Sequence, residues 1–178
     1  VPAAWQTFMR TGWGERELDL PRHPVADLAA QRRARLAATF PGERLVLPAG
    51  TFKVRSNDTD YRFRPDTVHT YFSGNQTSDA VLVIASDATG AGESVLYARP
   101  RSSRETDEFF RDRQYGELWA GRRPSSHELA SSLGIEVRHI DDLPDLDGGK
   151  TRDATTDDEL GRVASEMRLA KDEWEIEQ

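Results

Sequence analysis

The 178-residue sequence has no cysteine. That single absence excludes a disulfide framework, a thiolate nucleophile and every Cys-based zinc site. Histidine is scarce: His23, His69, His127 and His139 are the only four, and none stands three to five residues from another. The His-x-x-x-His spacing of a helical zinc site is therefore missing. No apolar run approaches the roughly 20 residues of a membrane span, and residues 1–14 lack the basic and apolar regions of a secretory signal. A cytoplasmic protein without a membrane partner is expected. Ser73-Gly74 lacks the flanking glycine of a nucleophile elbow, and Gly90-Ala91-Gly92 is too short for a phosphate loop, reading instead as a hairpin turn.

The formal net charge of -7 is unevenly placed. Residues 141–178 hold 13 acidic and 5 basic side chains, so the preceding body is nearly neutral. Nucleic acid needs a concentrated basic face and is not an expected partner. The one arginine-rich stretch, residues 99–123, interleaves seven Arg with Glu105, Asp107, Glu108, Asp112 and Glu117, as a salt-bridged surface would. Asp58 with Asp60, and Asp142 with Asp145 and Asp147, lack the spacing of a cation-binding loop and read as solvated carboxylates.

Periodicity divides the chain. Residues 1–22 show no sustained period and read as an irregular arm whose Trp5, Phe8 and Trp13 suit a docking segment. Val25, Leu28, Ala29, Leu36 and Phe40 recur at helical spacing, which predicts a helix ending before Pro41-Gly42 with Arg32, Arg33 and Arg35 on its other side. Strands are expected at residues 45–47, 68–72, 80–85, 94–98 and 135–140. The third is apolar throughout, as a central covered strand would be. Helices are expected at residues 106–113 and 126–133, the latter closed by Gly134. Residues 141–155 read as a linker. Thr156 and Glu159 form a capping box before the stripe Leu160, Val163, Met167 and Ala170, and Asp172 with Glu175 repeats the pattern before Ile176. The order predicts an α/β fold with a mixed sheet flanked by helices. No catalytic constellation is visible.

Three segments carry a resemblance. Arg55-Ser-Asn-Asp58 with Tyr61-Arg-Phe63-Arg64, then an aromatic segment ending Ser73-Gly74 and the run Ala80-Val81-Leu82, resembles the N-terminal domain of the aminopeptidase P, prolidase and creatinase family. Glu117-Leu118-Trp119-Ala120-Gly121-Arg122-Arg123 is similar to a segment of aminopeptidase P itself, and residues 168–176 resemble the entry into a peptidase domain. Pro65, where Gln is common, and residues 75–78 depart from the pattern.

The resemblance implies a ribonuclease H-like fold over residues 23–140, preceded by the arm of residues 1–22. Residues 141–178 would be an acidic linker and the start of a peptidase domain. It implies a non-catalytic domain, inactive alone, within a Xaa-Pro aminopeptidase whose other domain binds two divalent ions, typically manganese, outside this chain. Partners would be that peptidase domain, Xaa-Pro peptides and further copies in a dimer or tetramer. Asp58 would reach a neighbouring subunit's substrate site and Trp119 would lie over the substrate cleft, supported by Arg55, Arg64, Arg122 and Arg123. A turn-capping Asp58 and a core-filling Trp119 are the alternatives. At the level of the whole chain, the alternatives are a free-standing binding module and a prolidase or creatinase parent.

Overall fold

A computed structural model describes residues 1–12, 18–146, 150–172 and 175–176. Among them, a five-stranded mixed sheet carries the fold. Its strands are β1 (Arg44–Pro48), β4 (Val81–Ser86), β5 (Gly92–Ala98), β6 (Glu136–His139) and β7 (Thr151–Asp153), in the order β6-β5-β4-β1-β7. The apolar run at residues 80–85 becomes β4 and takes the central place, antiparallel to both β1 and β5. The 87–91 turn joins β4 to β5, with Asp87 accepting from Thr89 and Ala91. The two outer strands run parallel to their neighbours. A separate hairpin pairs β2 (Val54–Ser56) with β3 (Thr59–Asp60).

Pleating puts Leu45 and Leu47 of β1, Leu82 and Ile84 of β4, and Leu96 and Ala98 of β5 on one face. Helices α2 (Ala26–Thr39), α3 (Thr67–Ser73), α6 (Ser126–Leu133) and α7 (Asp158–Leu169) close over it with Leu36, Phe72, Leu129, Leu133, Leu160 and Ala164. Phe72, Leu36 and Leu160 are fully enclosed, and each such side chain contributes about 1.5–3 kcal/mol by leaving water. Gly134 caps α6 in the left-handed region, and Ser125 with Glu128 forms its capping box. No helix among the described residues is long and apolar enough to cross a membrane.

Apart from the α7 cap, which Asp157 supplies instead of Thr156 by accepting from the Leu160 N–H at 2.8 Å, the structure departs from the sequence reading in four places. Residues 68–72 are helical, not extended. Asp66 accepts from the N–H groups of Val68 and His69 at 2.8 and 3.1 Å, and Gly74 at φ 72° ends the turn, so a cap at each end overrides the β-propensity of Val-His-Thr-Tyr-Phe. Residues 3–10 form α1 (Ala3–Arg10), a helix with no buried residue, where no period was expected. Residues 141–155 are not all linker. After a 3-10 turn at Ile140–Asp142, β7 pairs with β1, and Arg152 is held by Glu43, Asp157 and Glu159.

The fourth departure is in α2, where Arg32 and Arg33 are buried rather than solvated. Arg33 donates to the Phe72 carbonyl at 2.9 Å, and burial pulls its pKa down to about 10. Arg32 stacks 3.9 Å over the Tyr71 ring and pairs with Asp172. Asp172 and Glu175 exchange the hydrogen bonds of the expected second capping box. Trp13, Asp147, Gly148, Gly149 and Trp174 lie outside the described residues.

Candidate functional site

Asp58 stands at the tip of the β2–β3 hairpin, where Asn57 takes φ 38°, the left-handed conformation that Asn tolerates in tight turns. The Asp58 side chain is exposed and makes no hydrogen bond or ion pair among the described residues. Its neighbour Asp60 is turned inward instead, meeting Arg113 at 3.3 Å and Gln114 at 3.1 Å. Those bonds dock the hairpin on the segment of α4 (Asp107–Arg111) and α5 (Glu117–Ala120). Aromatic packing strengthens the junction: the Phe52 ring lies 5.3 Å from Phe63 and 6.5 Å from Tyr115.

Trp119 sits on α5 with 67% of its surface exposed. Its indole N–H donates to the Phe110 carbonyl at 2.8 Å, which fixes the ring's polar edge and leaves its face open. The turn beneath it needs glycine at position 116, where a Cβ would come within 2.3 Å of the Asp112 carbonyl. Asp112 itself accepts from the N–H groups of Gln114 and Tyr115 at 2.8 Å each. Gly121 at φ 85° then turns the chain out of α5.

The arginines divide into two groups. Arg55, Arg64 and Arg122 are exposed. Arg123 points inward, donating to Glu108 at 2.9 Å and to the Arg99 carbonyl at 3.3 Å. Arg99 meets the other Glu108 oxygen at 3.1 Å, and both guanidinium groups lie over the Tyr115 ring. Desolvation lowers the Arg123 pKa while Glu108 opposes the shift. Arg99, Tyr115 and Arg123 line a cleft of about 240 Å³ shared with Phe52, Phe63 and Leu129. Burial raises the Asp79 pKa in the same neighbourhood, against the opposing pull of Ser78 and Arg99. No sequence pattern signalled this cleft, because its walls come from four separated segments.

No three His, Asp or Glu side chains among the described residues come together as a metal site. The buried His69 is consumed by structure: its Nδ1 bonds the Leu47 carbonyl at 2.8 Å and its Nε2 lies 3.2 Å from the Asn75 amide. Burial lowers its pKa, so the ring is neutral, with Nδ1 donating and Nε2 accepting. Asp58 thus offers an unpaired carboxylate at the hairpin tip and Trp119 an open aromatic surface. The first can hold a cationic group and the second an apolar ring, and among the described residues neither stands beside a nucleophile paired with a base.

Residues 29–153 match the family described as aminopeptidase P, N-terminal domain. The chain is 43% identical over 195 aligned residues to Xaa-Pro aminopeptidase 1 of Streptomyces coelicolor, covering 94% of this chain and 38% of that protein. Xaa-Pro aminopeptidase 2 of the same organism is 39% identical, covering 99% of this chain and 42% of the relative. The chain therefore spans about two-fifths of the length of these curated relatives. Among solved structures, zinc-substituted Escherichia coli aminopeptidase P in complex with product superposes with a TM-score of 0.61 at 24% identity, over 84% of this chain and 33% of that one. That likeness supports the mixed-sheet fold.

Proposed function

The chain belongs to the aminopeptidase P N-terminal domain family, and from that premise we propose that it is the non-catalytic front domain of a cytoplasmic Xaa-Pro aminopeptidase. One observation carries the reading. The relatives named Xaa-Pro aminopeptidase align with 94–99% of this chain, yet the chain fills only 38–42% of their length. The chemistry would then belong to the remainder of such a protein, including its two divalent ions, taken as manganese. The residues described here do not fit such a metal pair. In this reading the arm of residues 1–22 precedes a domain of residues 23–140. The segment 141–178 completes its sheet with β7 and leads toward the peptidase domain.

Within that protein, this domain supplies walls of the substrate site and contacts between subunits. The Asp58 carboxylate, unpaired at the hairpin tip, binds the ammonium terminus of a peptide or an arginine of a neighbouring subunit. The open face of Trp119 covers a proline ring and excludes water from the bond to be cleaved. Arg55, Arg64 and Arg122 add positive charge around that face, while Arg123 holds the Trp119 turn in place through Glu108.

The test is hydrolysis of Xaa-Pro peptides by the full-length protein carrying Asp58→Ala or Trp119→Ala. Each variant is expected to lose roughly tenfold or more in kcat/KM, which is at least about 1.4 kcal/mol of transition-state binding, with circular dichroism unchanged. Wild-type turnover by both variants overturns the site assignment. A full-length protein inactive on Xaa-Pro peptides overturns the parent assignment and leaves a binding module of the same fold.

A further inference from the structure

The cleft of about 240 Å³ beside α5 is separate from Asp58 and Trp119, neither of which lines it. Phe52, Phe63 and Leu129 give it apolar surface, and Arg99 and Arg123 bring it two guanidinium groups. A concave, largely apolar pocket with a few converging polar groups is the usual form of a small-molecule site. Its volume lies below the roughly 300–1,000 Å³ of sites for drug-sized ligands, so an occupant would be small.

Packing accounts for only part of the arginine pair. Arg99 donates from Nη1 to Glu108 at 3.1 Å, and Arg123 donates to Glu108 at 2.9 Å and to the Arg99 carbonyl at 3.3 Å. A guanidinium carries five N–H donors, so most of those on the two groups stay uncommitted among the described residues. The Nε atoms of both arginines are buried without a hydrogen-bond partner there, and so is Oδ2 of Asp79, whose carboxyl feels the Arg99 charge. Native interiors leave few such atoms, and here three fall in one neighbourhood.

The charges point the same way. Glu108 is the one ion-pair partner of either arginine among the described residues, and Glu117 acts on Arg123 only from a longer range. Both cations lie over the Tyr115 ring, at 4.7 and 5.4 Å from its centre. Burial is the largest cause of the lowered Arg123 pKa, and the Arg99 charge adds to it. Two like charges held together away from water favour an added anion.

We propose that this cleft binds a small monocarboxylate bearing an apolar ring, with the carboxylate on Arg99 and Arg123 and the ring against Phe52, Phe63 and Leu129. A planar carboxylate matches the guanidinium fork in shape and charge. A dianion such as phosphate would meet repulsion from Glu108 and Asp79, so a single negative charge is the better fit. A ligand without charge would cover the guanidinium groups and give them no acceptor of equal strength. Ala120 and Arg123 belong both to the cleft wall and to the segment that carries Trp119, so an occupant bears directly on that segment.

The test is calorimetric titration of the full-length protein with 3-phenylpropionate, and with 3-phenylpropan-1-ol as its uncharged counterpart. Two variants are compared with the wild type: Arg99→Gln, which removes one cation, and Ala120→Phe, which builds a ring into the cleft from an exposed position. The wild type is expected to bind one equivalent of the acid, and the alcohol about tenfold or more weakly. Arg99→Gln should weaken the acid about tenfold or more, and Ala120→Phe should lose that equivalent. Circular dichroism checks that each variant is folded, and the exposed Ala120 site keeps the test decisive if Arg99→Gln is not. No saturable binding of the acid by the wild type overturns the proposal. So does an equivalent that a folded Ala120→Phe variant binds as tightly as the wild type, or equal affinity for acid and alcohol. Binding is read without turnover, so the result is decided independently of the parent assignment.

Discussion

Replacing Glu128 by Gln tests how the arm is fastened to the domain. Glu128 is 7% exposed and accepts three charge-assisted hydrogen bonds. The donors are the Ser125 N–H at 2.6 Å, the Arg101 guanidinium at 3.1 Å and the N–H of Leu18, the first described residue after α1 and its following turn. These donors stabilise the carboxylate form and pull its pKa down to about 2, with the Ser125 backbone the largest cause and the Leu18 backbone next. The drop from an ordinary 4.5 to about 2, at about 1.4 kcal/mol per pH unit, sets a ceiling of about 3.5 kcal/mol, and solvent screening leaves ionised Glu128 contributing on the order of 2–3 kcal/mol to folding. Gln keeps the shape and one acceptor but loses the charge. Near pH 7 the variant is expected to be less stable by about 2–3 kcal/mol, or roughly 5–10 °C in melting temperature.

The sign with pH follows from the direction of the shift. A depressed carboxyl pKa gives stability that is fully present above the unfolded value of 4.5 and is lost as pH falls through the folded value of about 2. The gap between wild type and variant should therefore close across that window. Urea unfolding of both proteins, followed by far-ultraviolet circular dichroism at neutral and at acid pH, measures it. A gap that persists unchanged in acid refutes the electrostatic account, and equal stability at neutral pH refutes the role of Glu128 altogether.

Two further outcomes follow from the packing. Arg32→Met and Asp172→Asn should each cost about 2–4 kcal/mol, since each leaves the other group shielded without its partner; a double-mutant cycle showing no coupling would mean the pair is incidental. Gly74→Ala should cost about 1–2 kcal/mol, because φ is 72° and the added Cβ would press on Leu133 at 3.3 Å; equal urea midpoints for the two proteins would show that the α3 cap tolerates a side chain.

The central strand and the α6 cap were legible because their local signals agree with the packing. An unbroken apolar run has one stable home in a covered sheet, and Gly134 stands where a helix stop requires it, while the Ser125–Glu128 box at the start of α6 emerged only from the structure. Helix α3 was misread because its aromatic and β-branched residues favour a strand, while Asp66 and Gly74, which decide the matter, stand outside the run. Strand β7 was hidden by its polarity: at a sheet edge its pairing comes from the backbone, and Arg152 is satisfied by three carboxylates.

The site was legible only in part, and for a different reason. Asp58 and Trp119 bear no signal of their own, since one exposed acid and one exposed indole occur on most proteins; the resemblance alone singled them out. The fold adds what the sequence could not show, namely that Asp60 and Phe52 dock the hairpin onto the segment carrying Trp119. Helix α2 shows why such relations escape a linear reading. Arg33 falls on the apolar stripe itself, four residues after Ala29 and three before Leu36, yet charge suggested the outside. Its burial is tolerated because the Phe72 carbonyl, near the end of a helix that was itself misread, accepts a hydrogen bond from its guanidinium. The error at α3 therefore concealed the partner that makes the buried arginine intelligible.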